Sequence, residues 1–243
     1  MSNTLEQLPR RLVPTPMRPL LGLTILVVED SRFASEAVRQ MCLHSGARIR
    51  RADCLASARR HLAAYCPSVT LVDLTLPDGS GCELIRELRA QDTIAPVIAT
   101  SGLPDGETLA LEAGAQGFLP KPLAGLAVFQ QTILAQLPPE ARPRGPRPVL
   151  ALSPEPDKVA LRDDLDHARR LLTGNPAPDV LDYVARFLES VGHSACDTEI
   201  ADWGRRLGQA HCAEKVLDLE ALDTLLKKRI GTVPVFEGLT PTS

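Results

Sequence analysis

TILVVED, residues 24–30, is a β-branched, apolar run that stops on two acids. A run with no polar alternation is what a strand covered on both faces requires, because neither of its sides meets water. The next stretch, 31–44, is amphipathic and is followed by Gly46, a residue suited to the left-handed turn that closes a helix. Strand, acidic loop and helix thus follow in order, and the cycle recurs four times. The spacing predicts strands over 48–52, 69–72, 97–100 and 117–119, and helices over 56–64, 82–90, 107–113 and 126–137. Five βα units joined by short connections predict an α/β fold, a five-stranded doubly wound parallel sheet with helices on both faces.

Chemistry gathers where these strands end. In a doubly wound order the first and third strands lie side by side, so Glu29, Asp30 and Asp73 are expected to converge at the switch point. Three carboxylates held that close raise one another's pKa unless a cation sits among them. An all-oxygen cluster favours Mg²⁺ or Mn²⁺, hard ions that keep waters and accept phosphate oxygens as further ligands. Ser101 ends the fourth run ahead of Gly102, and its hydroxyl is placed to bond a phosphoryl oxygen. Lys121 follows the fifth run as a mobile point charge for a second such oxygen. The Lys121-Pro122 bond is one at which a cis peptide is accessible.

The stretches LVVED (26–30), LVDLTLPDGSG (71–81), PVIATSG (96–102) and GFLPKP (117–122) resemble the signature stretches of the receiver domain of two-component response regulators. The resemblance covers roughly residues 22 to 137. It implies a flavodoxin-like fold with Asp73 as phosphoacceptor, attacking the phosphorus of a phosphohistidine or small phosphodonor. It implies Mg²⁺ held directly by Asp30 and Asp73, by Glu29 through water, and by the backbone carbonyl of Thr75. Ser101 would move toward the new phosphoryl group and Phe118 would turn inward behind it, at a position where tyrosine is the better reporter. The implied partners are a sensor histidine kinase or phosphotransfer protein upstream, and a protein target or a second copy of the chain, as a homodimer, downstream. Such a protein catalyses only its own phosphorylation and dephosphorylation, so no enzyme acting on an outside substrate is expected.

The 243 residues, 44% hydrophobic with net charge −3, suffice for two modest cores. No apolar run approaches the roughly 20 residues of a membrane span, and the first residues lack a signal-peptide core, so a cytoplasmic location with no membrane partner is expected. Six cysteines without a CxxC pair suggest reduced thiols. Prolines divide the chain. Pro9, Pro14, Pro16 and Pro19 mark a flexible leader over 1–21, and Pro138, Pro139, Pro143, Pro146 and Pro148 a stiff linker over 138–149. The receiver-like domain then covers 22–137, a helical output or dimerisation domain 150–232, and a tail 233–243.

The second half shows helical spacing alone: Leu161, Leu165, Ala168, Leu172; Val180, Val184, Phe187, Val191; Ile200, Trp203, Leu207, Ala210; Leu219, Leu222, Leu226. Gly174, Gly192 and Gly231 are the expected C-caps and Asp179 and Asp218 the expected starts of an all-α bundle. From residue 149 onward 11 Lys and Arg face 16 Asp and Glu, net −5, which disfavours nucleic acid. A phosphorylation-controlled DNA-binding regulator remains the first alternative, through Arg205, Arg206 and the Lys227–Arg229 cluster, although EIADWGRRLGQA (199–210) does not carry helix-turn-helix spacing. The second alternative is a phosphorelay protein using His193. That histidine follows Gly192 and is expected in a loop between helices, without the small residues a phosphotransfer histidine needs after it.

Overall fold

Five strands form one parallel sheet: β1 (Thr24–Val28), β2 (Arg48–Ala52), β3 (Val69–Asp73), β6 (Val97–Ser101) and β7 (Gly117–Pro120), in the order β2-β1-β3-β6-β7. The computed structural model describes residues 12–91, 95–145, 148, 152–174, 176–212 and 218–232. Alternate residues of each strand serve opposite faces. Leu26, Val28, Val72 and Ala99 pack against α2 (Leu55–Ala64), α3 (Gly81–Ala90) and α4 (Gly106–Glu112). Ile25, Val27, Leu71 and Ile98 pack against α1 (Arg32–Ser45) and α5 (Leu126–Gln136). Burying each such side chain contributes about 1.5–3 kcal/mol relative to exposure, and both faces being covered accounts for the unbroken apolar runs. The α5 stripe of Leu126, Phe129, Ile133 and the following Leu137 is wholly buried on the sheet. The edge strand β2 exposes Arg48, Arg50 and Arg51, charges that blunt an open edge.

Local chemistry fixes the ends. Ser31 caps α1, accepting the Ala34 amide, and Gly46 closes it at φ 82°. Asp78 accepts the Leu55 and Ala56 amides at the start of α2 at 2.7 and 2.9 Å. The short hairpin β4 (Thr75–Leu76) and β5 (Gly79–Ser80), absent from the sequence reading, follows the acidic end of β3. The expected leader lies mostly outside the described residues, but its end is not free. Leu20 is fully buried in the core and its amide donates to Ser45 O, so packing begins before residue 22. The expected tail, 233–243, lies outside the described residues, as do parts of the linker, whose Pro139–Ala141 form a 3₁₀ turn.

The second half is a helical bundle of α6 (Lys158–Leu171), α7 (Pro178–Ser194), α8 (Thr198–Cys212) and α9 (Leu219–Gly231) around Leu165, Val184, Phe187, Leu188, Ile200 and Leu222. Gly192 does not end α7, which runs on to Ser194, whereas Gly231 is the last residue of α9, one ahead of its C-cap Thr232. The role of Gly192 is close approach. A Cβ there would collide with the Ala201 backbone of α8, and one on Gly204 would meet the Glu189 amide and lie 2.6 Å from Ala185 O. Paired glycines let two helices touch backbone to backbone. His193 therefore sits in the last turn of α7 rather than in a loop. No helix among the described residues is long and apolar enough to cross a membrane.

Candidate functional site

The parallel pairing of β1 with β3 sets Glu29, Asp30 and Asp73 together, each just at or beyond the carboxyl end of its strand. One carboxylate oxygen from each lies within 4.8 Å of the others. Lys121, at the end of β7 and ahead of a cis Lys121-Pro122 peptide, reaches across to them. Its Nζ stands 2.7 Å from Glu29 Oε2 and 2.7 Å from Asp73 Oδ2. These groups are almost sealed: Asp73 is 1% exposed and Glu29 4%.

Electrostatics follow from that enclosure. Burial, then the charge of Asp73, raises Glu29 well above the usual carboxylate range, against the pull of Lys121. The same two causes push Asp30 up to about 7. Burial alone would lower the Lys121 ammonium, but Asp73 and Glu29 outweigh it and hold its pKa above the ordinary lysine value. One ammonium among three carboxylates leaves the cluster short of positive charge, and a hard divalent cation would supply it. The donor set, oxygen throughout, fits such an ion.

The remaining expected site residues fall around this centre. Thr75 is buried, its amide donating to Asp73 Oδ1 at 3.2 Å. Ser101 ends β6 beside β7, with the Lys121 amide donating to its carbonyl at 2.9 Å and its hydroxyl accepting the Leu103 amide at 3.1 Å. Phe118 is half-buried against the sheet core. Gly106, at the start of α4, lies between them: a Cβ there would sit 2.8 Å from Ser101 Cβ and 3.4 Å from Phe118 Cζ. Ser101 and the Phe118 ring therefore both lie against the first turn of α4.

Sequence reasoning missed that the bundle reaches into the site. Tyr183 Oη donates to Asp30 Oδ2 at 2.7 Å, and Lys121 Nζ donates to Ser190 Oγ at 3.1 Å. His193 packs on Gly102, where a Cβ would stand 3.0 Å from its Nδ1, and that nitrogen is buried without a partner among the described residues. The glycine's free space is used by this ring. One signal was available. Tyr183 and Ser190 lie one helical heptad apart on α7, both buried beside the core stripe of Val184, Phe187 and Val191, and a helix buried most of the way round packs against more than its own bundle.

Residues 25–132 match the family model described as the response regulator receiver domain. Among curated proteins the chain is 28% identical over 130 residues to the KDP operon transcriptional regulatory protein KdpE of Escherichia coli K12, covering 53% of this chain and 57% of that one. It is 33% identical over 101 residues to the virulence transcriptional regulatory protein PhoP of Salmonella typhimurium, covering 40% and 45%. The chain thus spans about half the length of the curated relatives it matches. Among solved structures it is similar to the receiver domain of the sensor histidine kinase PA1611 of Pseudomonas aeruginosa, described with magnesium in its active-site cleft. That match has 27% identity and TM-score 0.44 and covers 47% of this chain and 96% of that one. A receiver domain of a histidine kinase from Syntrophus aciditrophicus gives 28%, 0.45, 54% and 99%. Segment, sheet order and acidic cluster agree: residues 25–132 are a response regulator receiver domain of the two-component signalling family.

Proposed function

We propose that this chain accepts a phosphoryl group on Asp73 from a histidine kinase or phosphotransfer protein and signals through contacts made by its helical bundle. The observation that carries the reading is the convergence of three carboxylates with Lys121 Nζ 2.7 Å from Asp73 Oδ2. An Asp73 carboxylate oxygen attacks phosphorus while the bond to the donor's imidazole nitrogen breaks, and the departing imidazole keeps the bonding pair and takes up a proton. Lys121 faces the charge on the transferring oxygens, and Ser101 offers a hydroxyl to the product. Asp30 and Asp73, with Glu29 and the Thr75 carbonyl, would hold Mg²⁺, which neutralises the same oxygens when bound. Mn²⁺ has the same ligand preferences and would serve in vitro.

Output by protein contact, including self-association, is favoured over DNA by the way the bundle uses its cations. Arg169 pairs with Asp166 and Asp223, Arg205 with Glu189 and Asp202, Lys227 with Asp223, and Arg229 with Asp197 and Glu199. Arg206 lies over the Trp203 ring. Most of the basic patch that a duplex would need is committed within the bundle itself. A phosphorelay reading draws support from one observation, the enclosed and unpartnered His193 Nδ1 beside Gly102. Labelling with acetyl phosphate and Mg²⁺ tests the main reading. Wild type should form a base-labile acyl phosphate and Asp73→Asn none; labelling of the variant at full strength would refute the assignment.

A further inference from the structure

Asp164, Tyr183, Ser190 and His193 belong to the bundle, yet each turns its polar atoms to the receiver. The Tyr183 ring packs on Phe187 within the bundle at 5.6 Å, while its hydroxyl leaves the bundle for Asp30. Ser190, 4% exposed, meets Lys121. Asp164, 3% exposed, caps α1 from outside: its oxygens accept the Arg32 and Phe33 amides at 2.9 and 3.0 Å and the Ser31 hydroxyl at 2.8 Å. Ser31 directly follows Asp30, so the cap grips the chain beside a metal-facing carboxylate. Asp163 adds an exposed pair to Arg32.

The connecting segment is fastened too. Gln40 exchanges two hydrogen bonds with the Glu155 backbone, and the Leu126 amide donates to Leu152 O. A cavity of about 360 Å³ lies under this roof, lined by Glu29, Thr100 and Lys121 below and by Ser153, Pro154 and Ser194 above. With α7 packed against the β4 hairpin as well, an incoming phosphodonor finds Asp73 covered.

Two occupants want the same atoms. A hard cation needs an Asp30 oxygen and room for its waters, and a phosphoryl group needs the Lys121 ammonium and the space above Asp73. Tyr183 holds an Asp30 oxygen, Ser190 holds a Lys121 proton, and α7 fills the space. We infer that α6 and α7 form an intramolecular plug of the phosphoacceptor cleft, displaced when a divalent cation and a phosphoryl group bind. The tethered linker keeps the plug at high effective concentration, which adds to the hydrogen bonds it makes with the receiver. This rests on the reading of Asp73 as phosphoacceptor and adds what regulates that site.

The test uses the full chain as wild type, Tyr183→Phe and Asp164→Ser, with Mn²⁺ affinity read by electron paramagnetic resonance and labelling rate by acetyl phosphate. Tyr183→Phe keeps the packed ring and loses only the hydroxyl. A hydrogen bond to a charged group corresponds to roughly tenfold or more in an equilibrium constant, so Mn²⁺ should bind about that much more tightly and labelling should quicken in both variants. Unchanged or weaker Mn²⁺ binding in both variants, at any level of labelling, overturns the plug. Tighter Mn²⁺ binding without labelling of any protein keeps the plug and removes the phosphoacceptor reading. Because metal affinity is measured apart from phosphoryl chemistry, the two failures are distinguishable.

Discussion

The acidic cluster of the receiver and the paired acids of the bundle treat the same side chain in opposite ways. In the receiver, burial and mutual repulsion raise Glu29 and Asp30 above the usual carboxylate range. In the bundle, burial of Asp197 is outweighed by Arg229, and Asp223 is held down by Lys227 and Arg169, so both carboxyls lie below it. The acidic cluster at the strand ends encloses charge that its surroundings do not fully compensate, whereas Asp197 and Asp223 are paired nearer the surface, where ion pairs are screened and individually weak. Burial raises one further carboxyl, Asp164, and it is the bundle acid that faces the receiver.

Removing Lys121 should break that comparison most forcefully. Lys121→Ala leaves Glu29 and Asp73 buried with no cation, a change that destabilises by about 3–5 kcal/mol when a buried pair loses one partner. Urea denaturation in the presence of a chelator should show the loss, and Mg²⁺ should restore much of it, because the acids that hold the ion remain. A loss that Mg²⁺ leaves untouched would contradict the metal site; the absence of any loss would contradict the charge accounting itself. The same variant should still bind the ion but respond more weakly to phosphorylation.

The bundle's counterpart is steric. Gly204→Ala drives a methyl group into the Glu189 amide and toward Ala185 O, and overpacking of this kind costs about 1–3 kcal/mol. Trp203, the single tryptophan of the chain, lies on the same helix and reports bundle unfolding by fluorescence. The transition should move to lower urea while receiver ellipticity holds. A receiver transition that moves equally would show that the halves unfold as one unit.

Legibility in the sequence divides along the same line. The receiver could be read because two constraints coincide: strands buried on both faces are apolar throughout, and the site residues follow directly from strand ends, so Glu29, Asp30, Asp73, Ser101 and Lys121 carry their own coordinates. Within the bundle, helical spacing located the four helices, since Val184, Ile200 and Leu222 recur with the helix period. Gly192 is the exception: its sequence context suggests a helix stop, because local signals cannot distinguish a terminating glycine from one that admits a neighbouring backbone. The interface was illegible for a related reason. Tyr183, Ser190 and Asp164 satisfy partners 153, 69 and 133 residues away, and no local periodicity encodes such a pairing.

A smaller effect probes His193. His193→Gln should leave acyl phosphate formation on Asp73 within about twofold of wild type, since packing on Gly102 is a contact and not a chemical step; acid-labile phosphohistidine in wild type, lost in the variant, would instead promote the phosphorelay reading. The smallest effect concerns the bundle's lowered carboxyls. Arg229 Nε donates to Asp197 Oδ2 at 2.6 Å and holds the folded pKa below its unfolded value of about 3.9. The resulting stability is present above that unfolded value and is lost as pH falls through the folded one. For this partly exposed pair the amount is under about 1 kcal/mol. Urea midpoints followed by Trp203 fluorescence at pH 6 and pH 3 should therefore fall less in Asp197→Asn than in wild type. Equal drops would mean that Arg229 contributes nothing beyond its packing, and the contrast between paired and unpaired acids would then rest on the receiver alone.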